Sequence, residues 1–141
     1  MTQHSVEIVT QVLKAVEQRR GDLLAALYHP QIEFHWPPGL PYSGSFVGVE
    51  VAQMQRRFGE VWFPLQPTEE TRRMDFKVVA TGDDGRVVAT YVWKGIDGQG
   101  RRFETLTLAD YQVRDGLFAR AQMFYYDFTG LLSFLAQAAR P

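Results

Sequence analysis

Few side chains in this sequence could move a proton, and they are scattered. His35 lies in the run Ile32-Glu33-Phe34-His35-Trp36. An imidazole ionises near neutrality, so His35 is the natural candidate for acid–base work. Strand alternation puts it with Glu33, opposite Ile32, Phe34 and Trp36. It therefore serves a site only if that face turns inward; otherwise it belongs to the outer sheet face or a subunit contact. Asp127 closes the sequence Tyr125-Tyr126-Asp127. It stands either at a cavity mouth as an acid or base, or as a helix N-cap, a role that stabilises by ~1 kcal/mol. Glu104 shares parity with Leu106 and Leu108, which places it on a convex face.

The second chemical resource is aromatic. Trp36, Tyr91, Trp93, Tyr111, Met123 and Tyr125 occupy positions that alternation assigns to one concave face, together with Thr105 and Thr107. Tyr28 and Tyr42 are expected at its entrance. Rings hold flat or alicyclic molecules, and a phenol can polarise a carbonyl by hydrogen bonding. Tyr125 or Tyr91 would orient a ligand oxygen, with His35 or Asp127 as proton carrier. The competing reading is that these rings fill a core.

Composition removes several classes. Cysteine is absent, which excludes disulfides, thiolate nucleophiles and thiolate zinc sites. His4, His29 and His35 lack metal-ligand spacing, so neither metal nor cofactor is expected. Gly98 and Gly100 sit in a hairpin rather than before a helix, which is not a phosphate loop. A net charge of −1, with arginine pairs spread over separate elements, argues against nucleic acid. No basic segment with a following apolar run opens the chain, and no apolar stretch reaches the ~20 residues of a membrane span. A cytoplasmic setting is the expectation.

The elements that must position these side chains follow from period and punctuation. Val6, Val9, Leu13 and Val16 keep helical spacing after Ser5, a candidate cap, up to Gly21. Asp22 opens a short helix that Pro30 stops. A strand over 32–36 leads into a rigid Pro-Pro-Gly loop, and Gly48 opens a third helix bearing Val51, Met54, Phe58, Val61 and Trp62. From Met74 the period becomes two. Turns at Asp83-Asp84-Gly85, Asp97–Gly100 and Asp115-Gly116 divide a four-strand meander, and Asp127 starts a last helix. Helices segregated beside an antiparallel sheet define an α+β domain, expected as one unit over 1–141. Long strands curl. A curled sheet capped by helices leaves a cavity unless large side chains fill it. Leu106 and Leu108 make the other face apolar too, and a second copy of the chain would cover it.

This order resembles a SnoaL-like member of the nuclear transport factor 2 and ketosteroid isomerase superfamily, a cystatin-like α+β roll. The marks are the loop from Trp36-Pro37 to Ser43-Gly44, Phe46-Val47-Gly48 opening the third helix, and Val113-Arg114-Asp115-Gly116 followed by Tyr125-Tyr126-Asp127. The resemblance implies an apolar pocket and a cofactor-free isomerase, cyclase, dehydratase or hydrolase acting by proton transfer. Residue by residue, the steroid isomerase base falls on Trp36, or on His35 after a slip of one. The oxyanion-hole acid of those enzymes falls on Ala109, beside Asp110. The epoxide hydrolase Arg-x-Asp pair falls near Tyr91 and Trp93, and its second aspartate near Phe124 or Tyr125. The polyketide cyclase histidine and aspartate fall near Leu108 and near Gln122 or Met123. Rings or aliphatic groups replace most of these acids and bases. The expectation is therefore a pocket for a small apolar metabolite, in an enzyme or in a non-catalytic ligand-binding homodimer.

Overall fold

The computed structural model describes residues 2–140. Helix α1 spans Thr2–Glu17 and α2 spans Gly21–Leu27. Strand β1 (Tyr28–Trp36) and edge strand β2 (Gly44–Val47) precede α3 (Glu50–Trp62), a 3-10 turn (Phe63–Leu65) and the short α4 (Glu69–Arg72). The meander follows as β3 (Lys77–Thr81), β4 (Arg86–Ile96), β5 (Arg102–Arg114) and β6 (Leu117–Tyr125), and α5 (Phe128–Ala138) comes last. The six strands form one sheet in the order β2-β1-β6-β5-β4-β3. β1 pairs parallel to β6, and every other pairing is antiparallel. This is the expected α+β architecture.

Four local departures have physical causes. Helix α1 starts before Ser5, whose side chain is buried rather than capping. β1 begins at Tyr28 and runs through Pro30, because the register to β6 is interrupted between Tyr28 and Glu33 and a proline there removes no ladder bond. β3 starts at Lys77 rather than at Met74, since Asp75 takes a left-handed φ of 50° that breaks the extended run. The segment Gly44–Val47, to which the sequence reading assigned no strand, pairs with β1 from Glu33↔Val47 to Trp36↔Gly44. The hairpin at Asp115-Gly116 is as expected: both residues have positive φ, the geometry that matches strand twist.

The core lies between the concave sheet face and the helices. Inward positions on β4 are Val87, Ala89, Tyr91, Trp93 and Gly95; those on β5 are Thr105, Thr107, Ala109, Tyr111 and Val113, all buried. Val9, Val12 and Leu13 of α1, Val51, Met54 and Trp62 of α3, and Leu131 of α5 complete it. A fully buried aliphatic or aromatic side chain contributes roughly 1.5–3 kcal/mol relative to exposure. On the convex face Leu106 (54% exposed), Leu108 (42%) and Phe124 (50%) have no cover within the chain.

Candidate functional site

Size contrast across the strands makes the hollow. Tyr91 faces Thr107, and Thr107 faces Tyr125. Two inward rows along, Tyr111 faces Ala121, which also pairs with Phe34. Ala89 and Ala109 pair between these rows. Small residues thus separate large rings on the concave face, and the helices lie over the gap without filling it. The resulting cavity has a volume of about 300 Å³, within the usual range for small-molecule pockets.

Its floor is Tyr91, Trp93, Tyr111, Phe118, Met123 and Tyr125 from β4, β5 and β6. Phe34 and Trp36 of β1 form one wall, with Met54 and Phe58 of α3 above them. Val12, Leu13 and Val16 come from α1. The lining residues that solvent reaches most are Gly21, Ala52, Arg56 and Phe63, so the mouth lies among α2, α3 and the 3-10 turn.

The rings touch in a continuous series. Phe34 stacks on Trp36 at 6.0 Å, Trp36 on Phe58 at 5.5 Å, and Phe58 tilts against Trp93 at 5.6 Å. Trp93 meets Tyr91 edge-on at 6.2 Å. At the other end Tyr111 and Tyr28 both contact Phe118. Trp36 is fixed by its indole N–H, which donates to the Met54 sulfur at 3.2 Å. Tyr28 accepts a hydrogen bond from the Gln55 side-chain amide.

The ionisable groups on the floor of the cavity are phenols. Burial pushes Tyr91 and Tyr125 well above the usual phenol range. Burial also raises Tyr111, Tyr28 and Tyr42; hydrogen bonds from Gln55 to Tyr28 and from Trp62 to Tyr42 pull the latter two partly back. These phenols therefore stay protonated at neutral pH and can only offer or accept hydrogen bonds. Tyr42 accepts from the Trp62 indole N–H at 2.8 Å. The Trp93 indole N–H and the Thr107 hydroxyl are buried without a partner.

The expected site residues divide clearly. Tyr28, Trp36, Tyr91 and Trp93 line the cavity, as do Tyr111, Met123 and Tyr125. Tyr42 is not at the entrance: it is 1% exposed and packs edge-on behind Trp36 at 4.8 Å. Thr107 lies in the floor between Tyr91 and Tyr125 and is fully buried, outside the lining. His35 points away from the cavity, as its alternation with Phe34 and Trp36 requires. Its Nδ1 lies 2.8 Å from the Ser45 hydroxyl and its Nε2 3.0 Å from a Glu33 carboxylate oxygen. Asp127 is exposed and caps α5, accepting from the Gly130 N–H at 2.9 Å, while its own N–H donates to Thr105. Asp110 is on the convex face, paired with Arg86. Among the described residues no aspartate, glutamate or histidine lines the cavity, and no cluster of three such residues could hold a metal.

Sequence reading missed Arg19, Arg56, Phe63 and Phe118 as lining residues. Alternation back from Met123 puts Phe118 on the other face, and the register irregularity between β5 and β6 at Gln112/Val113 accompanies its inward turn. Arg19 had no signal: its φ of 55°, after the end of α1, is a tertiary outcome.

The model of the SnoaL-like domain family matches residues 9–121. The chain belongs to the SnoaL-like family. Solved structures agree on the fold. TerC, co-crystallised with polyporic acid, superimposes with a TM-score of 0.78 at 15% identity, over 94% of this chain and 98% of that one. A protein of unknown function with a cystatin-like fold from Xanthomonas campestris gives 0.78 at 21% identity, over 96% and 98%. A nuclear transport factor 2-like protein from Burkholderia thailandensis gives 0.68 at 23% identity, over 100% and 99%. No curated protein sequence matches the chain. No helix among the described residues of this SnoaL-like chain is long and apolar enough to cross a membrane.

Proposed function

We propose that this SnoaL-like chain is one domain over 1–141 that binds a small, flat, mostly apolar molecule carrying at least one acceptor oxygen. The observation that carries this reading is a cavity walled by rings in which the unsatisfied polar groups are hydrogen-bond donors or hydroxyls, not acids or bases. A ligand oxygen would accept from Trp93 Nε1 and from Tyr125. Burial keeps Tyr125 protonated on the cavity lining, so its hydroxyl can donate to the ligand. The TerC complex lends support, since a protein of this fold takes up an organic molecule.

The buried, protonated phenol of Tyr125 favours a second reading, in which Tyr125 polarises a carbonyl, the ligand gives a proton to water at the mouth, and the isomerised or cyclised product takes one back at a new position. His35 and Asp127 enter neither reading, because each is engaged elsewhere. The exposed Leu106, Leu108 and Phe124 support a homodimer formed through the convex face.

The test is a thermal-shift screen of polycyclic ketones, quinones, lactones and epoxides. The binding reading predicts hits whose stabilisation disappears in Trp93→Ala, with the ligand recovered unchanged. Recovery of an isomer or a cyclised product selects the catalytic reading. Hits that stabilise Trp93→Ala equally contradict both.

A further inference from the structure

The charge on the cavity lining is one-sided. Arg19 and Arg56 are its charged residues among those described, and no carboxylate answers them. Neither guanidinium belongs to any of the ion pairs the described residues form. Two neighbouring carboxylates are committed elsewhere, and Glu69, which shares a surface cleft with Arg19, lies outside the cavity lining. Glu17 accepts from the Met74 N–H at 2.7 Å, and Asp22 takes both hydrogen bonds of Arg20.

Arg19 is held firmly with part of its donor set unused. Its Nη2 donates to the carbonyls of Phe63 at 3.0 Å and Gln66 at 2.6 Å, and its guanidinium lies 4.3 Å from the centre of the Phe63 ring. Its Nε–H is buried and has no acceptor. Arg72 donates to the same Gln66 carbonyl, which adds a second positive charge instead of a counter-charge. Burial, with Arg72 beside it, lowers the pKa of Arg19, yet a guanidinium keeps its charge at any physiological pH. Arg56 is exposed and lines the same cavity at its mouth. Deeper in, Trp93 Nε1–H is another buried donor without an acceptor. Two lining residues, Arg19 and Trp93, thus hold buried donors without acceptors, and both charged groups at the mouth are positive.

We infer that the ligand is an organic acid, with its ring system among Trp36, Phe58, Trp93 and Tyr125 and its carboxylate, or an equivalent anionic oxygen group, against Arg19 and Arg56. This rests on the binding reading above and deepens it. A planar guanidinium fork suits a carboxylate or a phosphate. An anion at the mouth also fits a pocket whose interior would reject a charge.

Equilibrium dialysis of the full chain with matched probes tests it: 2-naphthoic acid, its methyl ester and 2-naphthyl phosphate, with the anthracene counterparts. The acid is expected to bind at least about tenfold more tightly than the ester. Arg56→Gln should erase most of that preference and leave the affinity for the ester unchanged. Raising the salt should weaken the acid alone. The phosphate arm identifies which anion the mouth prefers, and tighter binding of either anion supports the inference. Because Arg19 also ties Phe63 and Gln66, Arg56→Gln carries the test whatever the stability of an Arg19 variant. Ester binding as tight as acid in the unmodified protein overturns the inference while leaving the pocket reading intact. Failure of every probe, acid and ester alike, removes both.

Discussion

The indole N–H of Trp62 donates to the hydroxyl of Tyr42 at 2.8 Å, and both residues are almost wholly buried, at 0% and 1% exposure. An indole N–H can only donate, so Tyr42 is its required acceptor. Removing that acceptor leaves a buried donor unsatisfied, at a cost of about 1–3 kcal/mol. Tyr42→Phe is therefore expected to destabilise by that amount in urea denaturation. Trp62→Phe in the same background should recover part of the loss, because no donor then remains. Additive losses in the double mutant would show that the pair is not coupled.

Gly95 predicts a steric penalty. A Cβ built there would stand 3.0 Å from the Phe134 ring and 3.1 Å from Trp62. Both rings are packed and cannot retreat freely. Gly95→Ala should cost about 1–3 kcal/mol, the usual range for overpacking. A melting temperature within a degree of the unmodified protein would contradict this.

The buried phenols predict an alkaline transition. Burial raises Tyr28, Tyr42, Tyr91, Tyr111 and Tyr125 above the ordinary phenol value of 10.0. A group whose folded pKa is raised adds stability that is complete below its unfolded pKa. That stability is lost as pH rises from there toward the folded pKa. Stability should hold up to about pH 10 and fall steeply beyond it. Absorbance at 295 nm should show these phenols ionising together with loss of the near-ultraviolet circular dichroism. Gradual ionisation in a still-folded chain would show that they are open to solvent.

His35 and Asp127 supply a contrast. Asp127→Ala removes the α5 cap and should cost ~1 kcal/mol. His35→Ala breaks contacts to Ser45 and Glu33 on the far sheet face. Ligand affinity should stay within about twofold for each, as isothermal titration would read it. A tenfold loss in either would return that residue to the site.

The strands and their faces were legible because the period-two pattern holds within β4 from Val87 to Gly95, within β5 from Thr105 to Val113 and within β6 from Ala119 to Met123. That legibility placed Tyr91, Trp93, Tyr111, Met123 and Tyr125 on the concave face correctly. The β1–β6 pairing was not legible, since a parallel contact between distant segments leaves no turn in the sequence. The position of Tyr42 was hidden for a similar reason: it sits in a loop, where no periodicity assigns a face. The room in the cavity could have been read from Thr107 and Ala121, small residues standing opposite large ones, and from the Ala89–Ala109 pair between them. The arginines of the mouth depend on how α1 and α2 join, at a left-handed residue with no sequence mark.

The central claim is that donors on the cavity wall hold a ligand oxygen, and paired probes test it most directly. Titration calorimetry would compare fluorenone with fluorene in the unmodified protein, Tyr125→Phe and Trp93→Phe. Each substitution should weaken fluorenone about two- to tenfold, the worth of one hydrogen bond, and leave fluorene unchanged. Equal affinities of fluorenone and fluorene in all three proteins would contradict the claim.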